Sequence, residues 1–133
     1  MHIREKFVYL IPVILLFSAC YSVPKDISED FTAPELIQRA QEASDLNRYK
    51  VSLVYYNTIL ERFPRQMEYV CAAEYEIAFI AYKQKNYEAA RSGINGLLQR
   101  YNSIDGELLP QQYKILSNIV LAKIDETENR RKR

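Results

Sequence analysis

The sequence predicts an all-α fold, a short solenoid of two helical hairpins closed by one further helix. Three observations carry that prediction. Residues 72–101, AAEYEIAFIAYKQKNYEAARSGINGLLQRY, hold apolar side chains at helical spacing on either side of a polar break at Lys85-Asn86. The pattern also occurs once earlier. Sliding the sequence along itself lays Ala40 on Ala78, Ala43 on Ala81, Tyr49 on Tyr87, Asn57 on Asn95, Ile59 on Leu97, Leu60 on Leu98, Arg62 on Arg100 and Phe63 on Tyr101, all in one register. A repeated hairpin of this length buries its apolar side only by stacking on its neighbour. Third, Pro34, Pro64 and Pro110 stand where helices are expected to begin or end.

Taken in order, the chain begins with the basic stretch MHIREK and an apolar run, FVYLIPVILLFSA, that Pro12 interrupts. The run is too short to span a bilayer comfortably and reads as a secretory signal over residues 1–19. Residues 20–33 lack periodicity and read as a tether, with a mean reach of about 20 Å if flexible. Thr32 is the expected N-cap of the first helix, with Pro34 in its first turn and Glu35 completing a capping box. That helix is expected to end near Leu46, with Leu36, Ile37, Ala40 and Ala43 on its apolar side and Asn47-Arg48 as the break.

The second helix, 49–63, is expected to bury Tyr49, Leu53, Tyr56, Ile59, Leu60 and Phe63 and to stop before Pro64. The third, 72–83, is apolar almost all round through Tyr75, Ile77, Ala78, Phe79, Ile80, Ala81 and Tyr82, so it must be covered on more than one side. The fourth, 87–101, carries one buried stripe of Tyr87, Ala90, Ile94, Leu97, Leu98 and Tyr101. Residues 102–109 form the longest break, and Pro110 opens the terminal helix. Its expected buried stripe is Tyr113, Leu116 and Val120, flanked by Ile115, Ile119 and Ala122. Gln111, Lys114, Ser117, Asn118 and Lys123 would supply a polar outer side suited to closing a solenoid end. The helical domain is thus expected over 34–128, followed by a basic tail, 129–133, whose charges suit a helix C-terminus. Contact of that tail with anionic lipid or an acidic partner is the alternative.

Two resemblances add to this reading. Phe17-Ser18-Ala19-Cys20 resembles the lipobox of bacterial lipoproteins, with Phe17 where that motif prefers leucine. The resemblance implies cleavage before Cys20 and acylation of its thiol; an ordinary signal peptide with a chance cysteine is the alternative. Two or more acyl chains suffice for stable membrane anchoring. The small residue at Ala78, the aromatic at Tyr87, Ala90 and the large apolar Ile94 look like the tetratricopeptide repeat, and Leu60-Glu61-Arg62-Phe63-Pro64 supplies its closing proline. In detail, Asn86-Tyr87-Glu88-Ala89-Ala90 followed by Leu97-Leu98-Gln99-Arg100-Tyr101 is similar to the BamD family of outer-membrane lipoproteins, over roughly residues 33–101. This chain has about two repeats where that family typically has about five, and Asn102 stands where a second closing proline is expected.

The resemblance implies a scaffold on the periplasmic side of the outer membrane, an accessory to the machinery that assembles β-barrel proteins there. Its implied partners are the barrel insertase and unfolded barrel substrate. An adaptor or pilotin for a secretion pore or cell-wall machinery is the alternative.

Composition argues against catalysis. Net charge is +1, so no global field selects nucleic acid. The one histidine, His2, would leave with the signal segment, which removes the usual general base. Gly93, Gly96 and Gly106 are too scattered for a phosphate-cradling loop. Cys71 has no helical neighbours to complete a metal site and reads as a small buried residue. No cofactor, metal or catalytic residue is expected, and the chain is expected to work by binding. The concave face of such an array is lined by the first helix of each hairpin. The residues expected there are Ile37, Gln41 and Ser44, then Tyr75, Phe79, Tyr82 and Lys83, unless the terminal helix folds over the rings. Gly93 and Gly96 imply close approach of the terminal helix or a partner, or else tolerance at an exposed site.

Overall fold

The computed structural model describes residues 21–133, so the signal segment and the acylation expected at Cys20 lie outside the described residues. The described chain is all-helical. Helices α1 (Ala33–Asp45) and α2 (Tyr49–Arg62) form one hairpin, and α3 (Met67–Lys83) and α4 (Tyr87–Tyr101) form the second. A 3-10 turn (Gly106–Leu108) leads to α5 (Gln111–Arg131), which lies on α3 and α4. This is a short tetratricopeptide-like solenoid with α5 covering its second end.

The hairpin turns show the repeat at atomic level. Asn47 and Lys85, which coincide when the two hairpins are laid over each other, both take left-handed backbone angles, at φ 56° and 62°. Arg48 N–H donates to the Ala43 carbonyl at 2.8 Å and Asn47 N–H to that of Ser44 at 2.9 Å. Asn86 to Ala81 and Lys85 to Tyr82, both at 2.9 Å, repeat the pair. Each turn thereby satisfies two carbonyls that a helix end otherwise leaves open.

Helix starts follow local chemistry. Glu35 accepts from the Thr32 backbone N–H at 2.8 Å and from its hydroxyl at 2.6 Å, which holds the carboxyl below its ordinary range. The third helix begins at Met67 rather than at 72, directly after the Pro64 turn, so Cys71 is mid-helix and fully buried. Burial pushes its thiol pKa up. As its apolar circumference demands, α3 packs against α1, α2, α4 and α5.

One core joins the two hairpins through Leu36, Ala40, Tyr56, Ile59, Ala73 and Ile80; the other joins the second hairpin to α5 through Cys71, Ala78, Ile94, Leu97, Val120 and Ile124. The expected small-residue contact is real, but its partner is α3: a Cβ on Gly93 would lie 3.0 Å from that of Ala78. Gly96 faces open space.

Two expectations toward the chain ends need correction. The stretch expected as a flexible tether is docked in its second half. Ile27 and Phe31 pack on the first core, and the Arg62 guanidinium donates to the Ile27 and Ser28 carbonyls at 2.7 and 2.8 Å. The basic tail, by contrast, forms the expected helix end, which runs through Arg131, whose guanidinium lies 5.3 Å from the Tyr87 ring centre. Most consequentially, α5 is rotated about its axis from the expected stripe. Ser117, expected outside, is fully buried, in line with Tyr113, Val120 and Ile124. A serine at this position lets the helix sit close to its neighbours. Ile115, Leu116 and Ile119 consequently face solvent at 61%, 38% and 46% exposure, beside the exposed Asn118 and Lys123 expected there, so the outer side of α5 mixes apolar with polar side chains.

Candidate protein-binding face

The concave face is built by α1 and α3. Because the two helices start their hairpins in the same register, residues equivalent in the repeat occupy matching places on it: Ile37 and Tyr75, Gln41 and Phe79, Ser44 and Tyr82. Four rings form a continuous row along its second half. Tyr75 stacks on Phe79 with centres 5.7 Å apart, Phe79 on Tyr82 at 5.8 Å, and Tyr82 meets Tyr87 at 5.9 Å. Their spacing and near-parallel planes at the first two contacts suit offset stacking.

Of the two arrangements expected, an open row or rings covered by the terminal helix, the second holds at Tyr75 and the first in part at Phe79 and Tyr82. Tyr75 is only 6% exposed, because α5 lays Tyr113 against it with ring centres 5.8 Å apart. Burial raises the Tyr75 pKa to about 12. Tyr75 is therefore a core residue and leaves the contact set. Phe79 and Tyr82 are half-buried, and Gln41 and Lys83 are exposed. Ser44, expected to face outward, is buried and accepts from Lys83 Nζ at 2.8 Å. Ile37 is half-buried against the first core.

What remains open is a cleft of about 290 Å³ between the two helices, lined by Gln41, Ser44, Asp45, Tyr56, Glu76, Phe79 and Lys83. Lys83 spans its mouth, with Nζ 4.9 Å from the Tyr49 ring centre and 5.2 Å from that of Phe79. Glu76 is half-buried, and burial first, then the Asp45 carboxylate, pushes its pKa up, while the Lys83 ammonium opposes them. At the floor, Tyr56 is fully buried and its hydroxyl has no hydrogen-bond partner among the described residues.

Sequence reasoning placed Tyr56 in the core and missed its polar end. The signal lies in the repeat itself, for Tyr56 falls on Ile94 and Glu76 on Gln38, so a hydroxyl and a charge appear where the other hairpin has neither.

The chain is 35% identical over 124 residues to a protein of Treponema pallidum (strain Nichols) described as uncharacterized. The match covers 92% of this chain and 49% of the relative, so the chain spans about half the length of the curated relative it matches. No family model matches the chain, and no solved structure matches it.

Away from the cleft residues, Ile115, Leu116 and Ile119 lie within five residues of one another on α5 and are exposed, as are Ile104 and Leu108 of the preceding segment, by 98% and 84%. Large exposed apolar side chains, where contiguous, mark interaction surfaces. Among the described residues, no helix is long and apolar enough to cross a membrane, and no His, Cys, Asp and Glu group is arranged to hold a metal ion.

Proposed function

We propose that this chain is a membrane-anchored lipoprotein scaffold that acts by protein–protein binding, as an accessory subunit of the machinery assembling outer-membrane β-barrel proteins. The observation that carries the binding role is the exposure of three large apolar side chains on α5. A solenoid end that met only water would be expected to present polar side chains there, whereas Ile115, Leu116 and Ile119 offer anchors for a partner. The choice of partner rests on the resemblance of the Asn86–Ala90 and Leu97–Tyr101 motifs to the BamD family, and the anchor on the lipobox at Cys20. Anchoring holds the scaffold beside its partner and raises the effective concentration, so a small interface suffices.

A photo-crosslinking amino acid at Ile119 of the full-length protein in native membranes tests this reading. The expected adduct is the barrel insertase, and depletion of the protein should lower several barrel proteins together while sparing other lipoproteins. Unchanged barrel levels with no insertase adduct overturn the assignment, and an adduct with a secretion or cell-wall component favours an adaptor or pilotin role. Cys20→Ala should abolish fatty-acid labelling and detergent partitioning; retained labelling overturns the anchor.

A further inference from the structure

Helix α5 stands to the second hairpin as α3 stands to the first. Counted from their first residues, Met67 and Gln111, the two helices carry matching inner faces. Tyr69, Ala73, Ile77 and Ile80 pack α3 onto the first core, and Tyr113, Ser117, Leu121 and Ile124 hold the same places on α5 against the second. The small, fully buried residue is Ala73 in one helix and Ser117 in the other. The same count lays Cys71, Ala72, Tyr75 and Ala78 of α3 on Ile115, Leu116, Ile119 and Ala122 of α5. On α3 those four are buried. Cys71, Tyr75 and Ala78 share the second core with α4, which brings Gly93 over Ala78. On α5 the corresponding four are all exposed. The exposed stripe is therefore the seat that a second helix fills in the preceding hairpin.

Charges beside the stripe define what fits it. The acidic residues of α5 are engaged: Asp125 and Glu128 take the Arg91 guanidinium at 2.7 and 3.1 Å, and Glu126 takes that of Arg130 at 3.7 Å. Lys114 and Lys123, which bracket the stripe along the chain, form no ion pair among the described residues. We propose that the stripe seats one amphipathic helix of a partner protein, antiparallel to α5 as α4 is to α3, with its apolar face on Ile115, Ile119 and Ala122 and acidic residues beside Lys114 and Lys123. The proposal rests on the reading of this chain as a binding scaffold and deepens it by naming what binds, whichever machinery supplies the helix. Ala122 admits close approach at the place where Ala78 admits Gly93, so the partner helix carries a glycine or alanine opposite it. Two other occupants fit less well. Laying the stripe antiparallel on itself, as a second copy would, sets each Lys114 beside the other copy's Lys123, and such like charges oppose pairing. The apolar run 7–19 contains no acidic residue, and Pro12 interrupts it.

The test uses the full-length lipidated protein in a non-ionic detergent. Its ligands are two fluorescent, end-blocked peptides of about four helical turns, which share one Leu/Ala face and carry either glutamate or lysine at every flanking position. The glutamate peptide should bind about fivefold more tightly at low salt, the size expected of exposed ion pairs, and added salt should shrink the preference. Lys123→Glu should cancel it. The micelle is common to both proteins, so its own affinity for the peptides drops out of that comparison. Ile119→Glu should abolish binding of both peptides and leave the melting temperature of the free protein unchanged, because the side chain it replaces is exposed. Equal affinity for the two peptides overturns the proposal, as does a preference that survives Lys123→Glu or binding that survives Ile119→Glu. A dimer of the full-length protein that Ile119→Glu disperses overturns it in favour of self-pairing. An insertase adduct at Ile119 alongside failed peptide discrimination removes the acidic helix alone; peptide discrimination without that adduct removes only the barrel-assembly assignment.

Discussion

The two hairpins are built on one plan and put to different uses. Their turns superimpose hydrogen bond for hydrogen bond, and Ala40 and Ala78 hold equivalent places in the packing. Their arginines diverge. Arg62 draws the preceding chain onto the first hairpin, while its repeat equivalent, Arg100, forms a bidentate pair with Glu74 of α3 at 2.6 and 2.8 Å. The concave positions diverge further. Ile37, Gln41 and Ser44 become Tyr75, Phe79 and Tyr82, and α5 covers the first of the three rings. Backbone geometry is thus carried by small and turn-forming residues, while the side chains between them are free to make either an adaptable rim or a second core.

The largest expected effect breaks this asymmetry directly. Tyr75→Ser empties the contact between α3 and α5 and should cost about 3–5 kcal/mol, as for other large aromatic truncations in cores. Ile37→Ser, at the matching but half-buried place, should cost about 1–2 kcal/mol by lost burial. Denaturant midpoints of the two variants measure the difference. Equal losses would mean that α5 does not cover the second hairpin as described.

A smaller effect sharpens the close contact within the second hairpin. Ala78→Leu must push against Gly93 and should cost about 1–3 kcal/mol by overpacking. Tyr82→Ser, on a half-buried ring at the rim, should be milder. Thermal melting decides between them, and equal loss would place Tyr82 in the core and remove it from the contact set.

The hairpins were legible in the sequence because each had to satisfy the same constraints twice, and sliding the chain along itself exposed them. The turn residues, the capping box at Thr32 and the all-round burial of α3 followed from local chemistry. The register of α5 did not. Apolar residues on adjoining faces of that helix, Leu116 and Val120 on one and Ile115 and Ile119 on the other, make two stripes of similar strength. The choice fell to a fit that periodicity does not contain, with Ser117 small enough to lie against the second hairpin. The cleft was hidden for the opposite reason. Tyr56 satisfies the apolar pattern with its ring, and only the packed structure shows its hydroxyl stranded.

The smallest effect concerns Glu76 and its counterpart Gln38, which is exposed and donates from Nε2 to Glu42 at 2.9 Å. The first hairpin thus already carries the glutamine that Glu76→Gln would introduce into the second. Burial and Asp45 raise the Glu76 carboxyl above its ordinary value of 4.5, against the pull of Lys83. A raised folded-state pKa means that folding favours the protonated acid. Its contribution to stability is complete below the ordinary value and is lost as pH rises through the folded-state value. Glutamine does not titrate. The melting temperature of Glu76→Gln should therefore match that of the unaltered protein under acid conditions, exceed it increasingly as pH rises past the carboxylate range, and then hold a constant lead. Other titrating groups are common to both proteins and cancel in the difference. A difference that stays flat from about pH 4 to about pH 8 would mean that Glu76 is as well solvated as an ordinary surface acid.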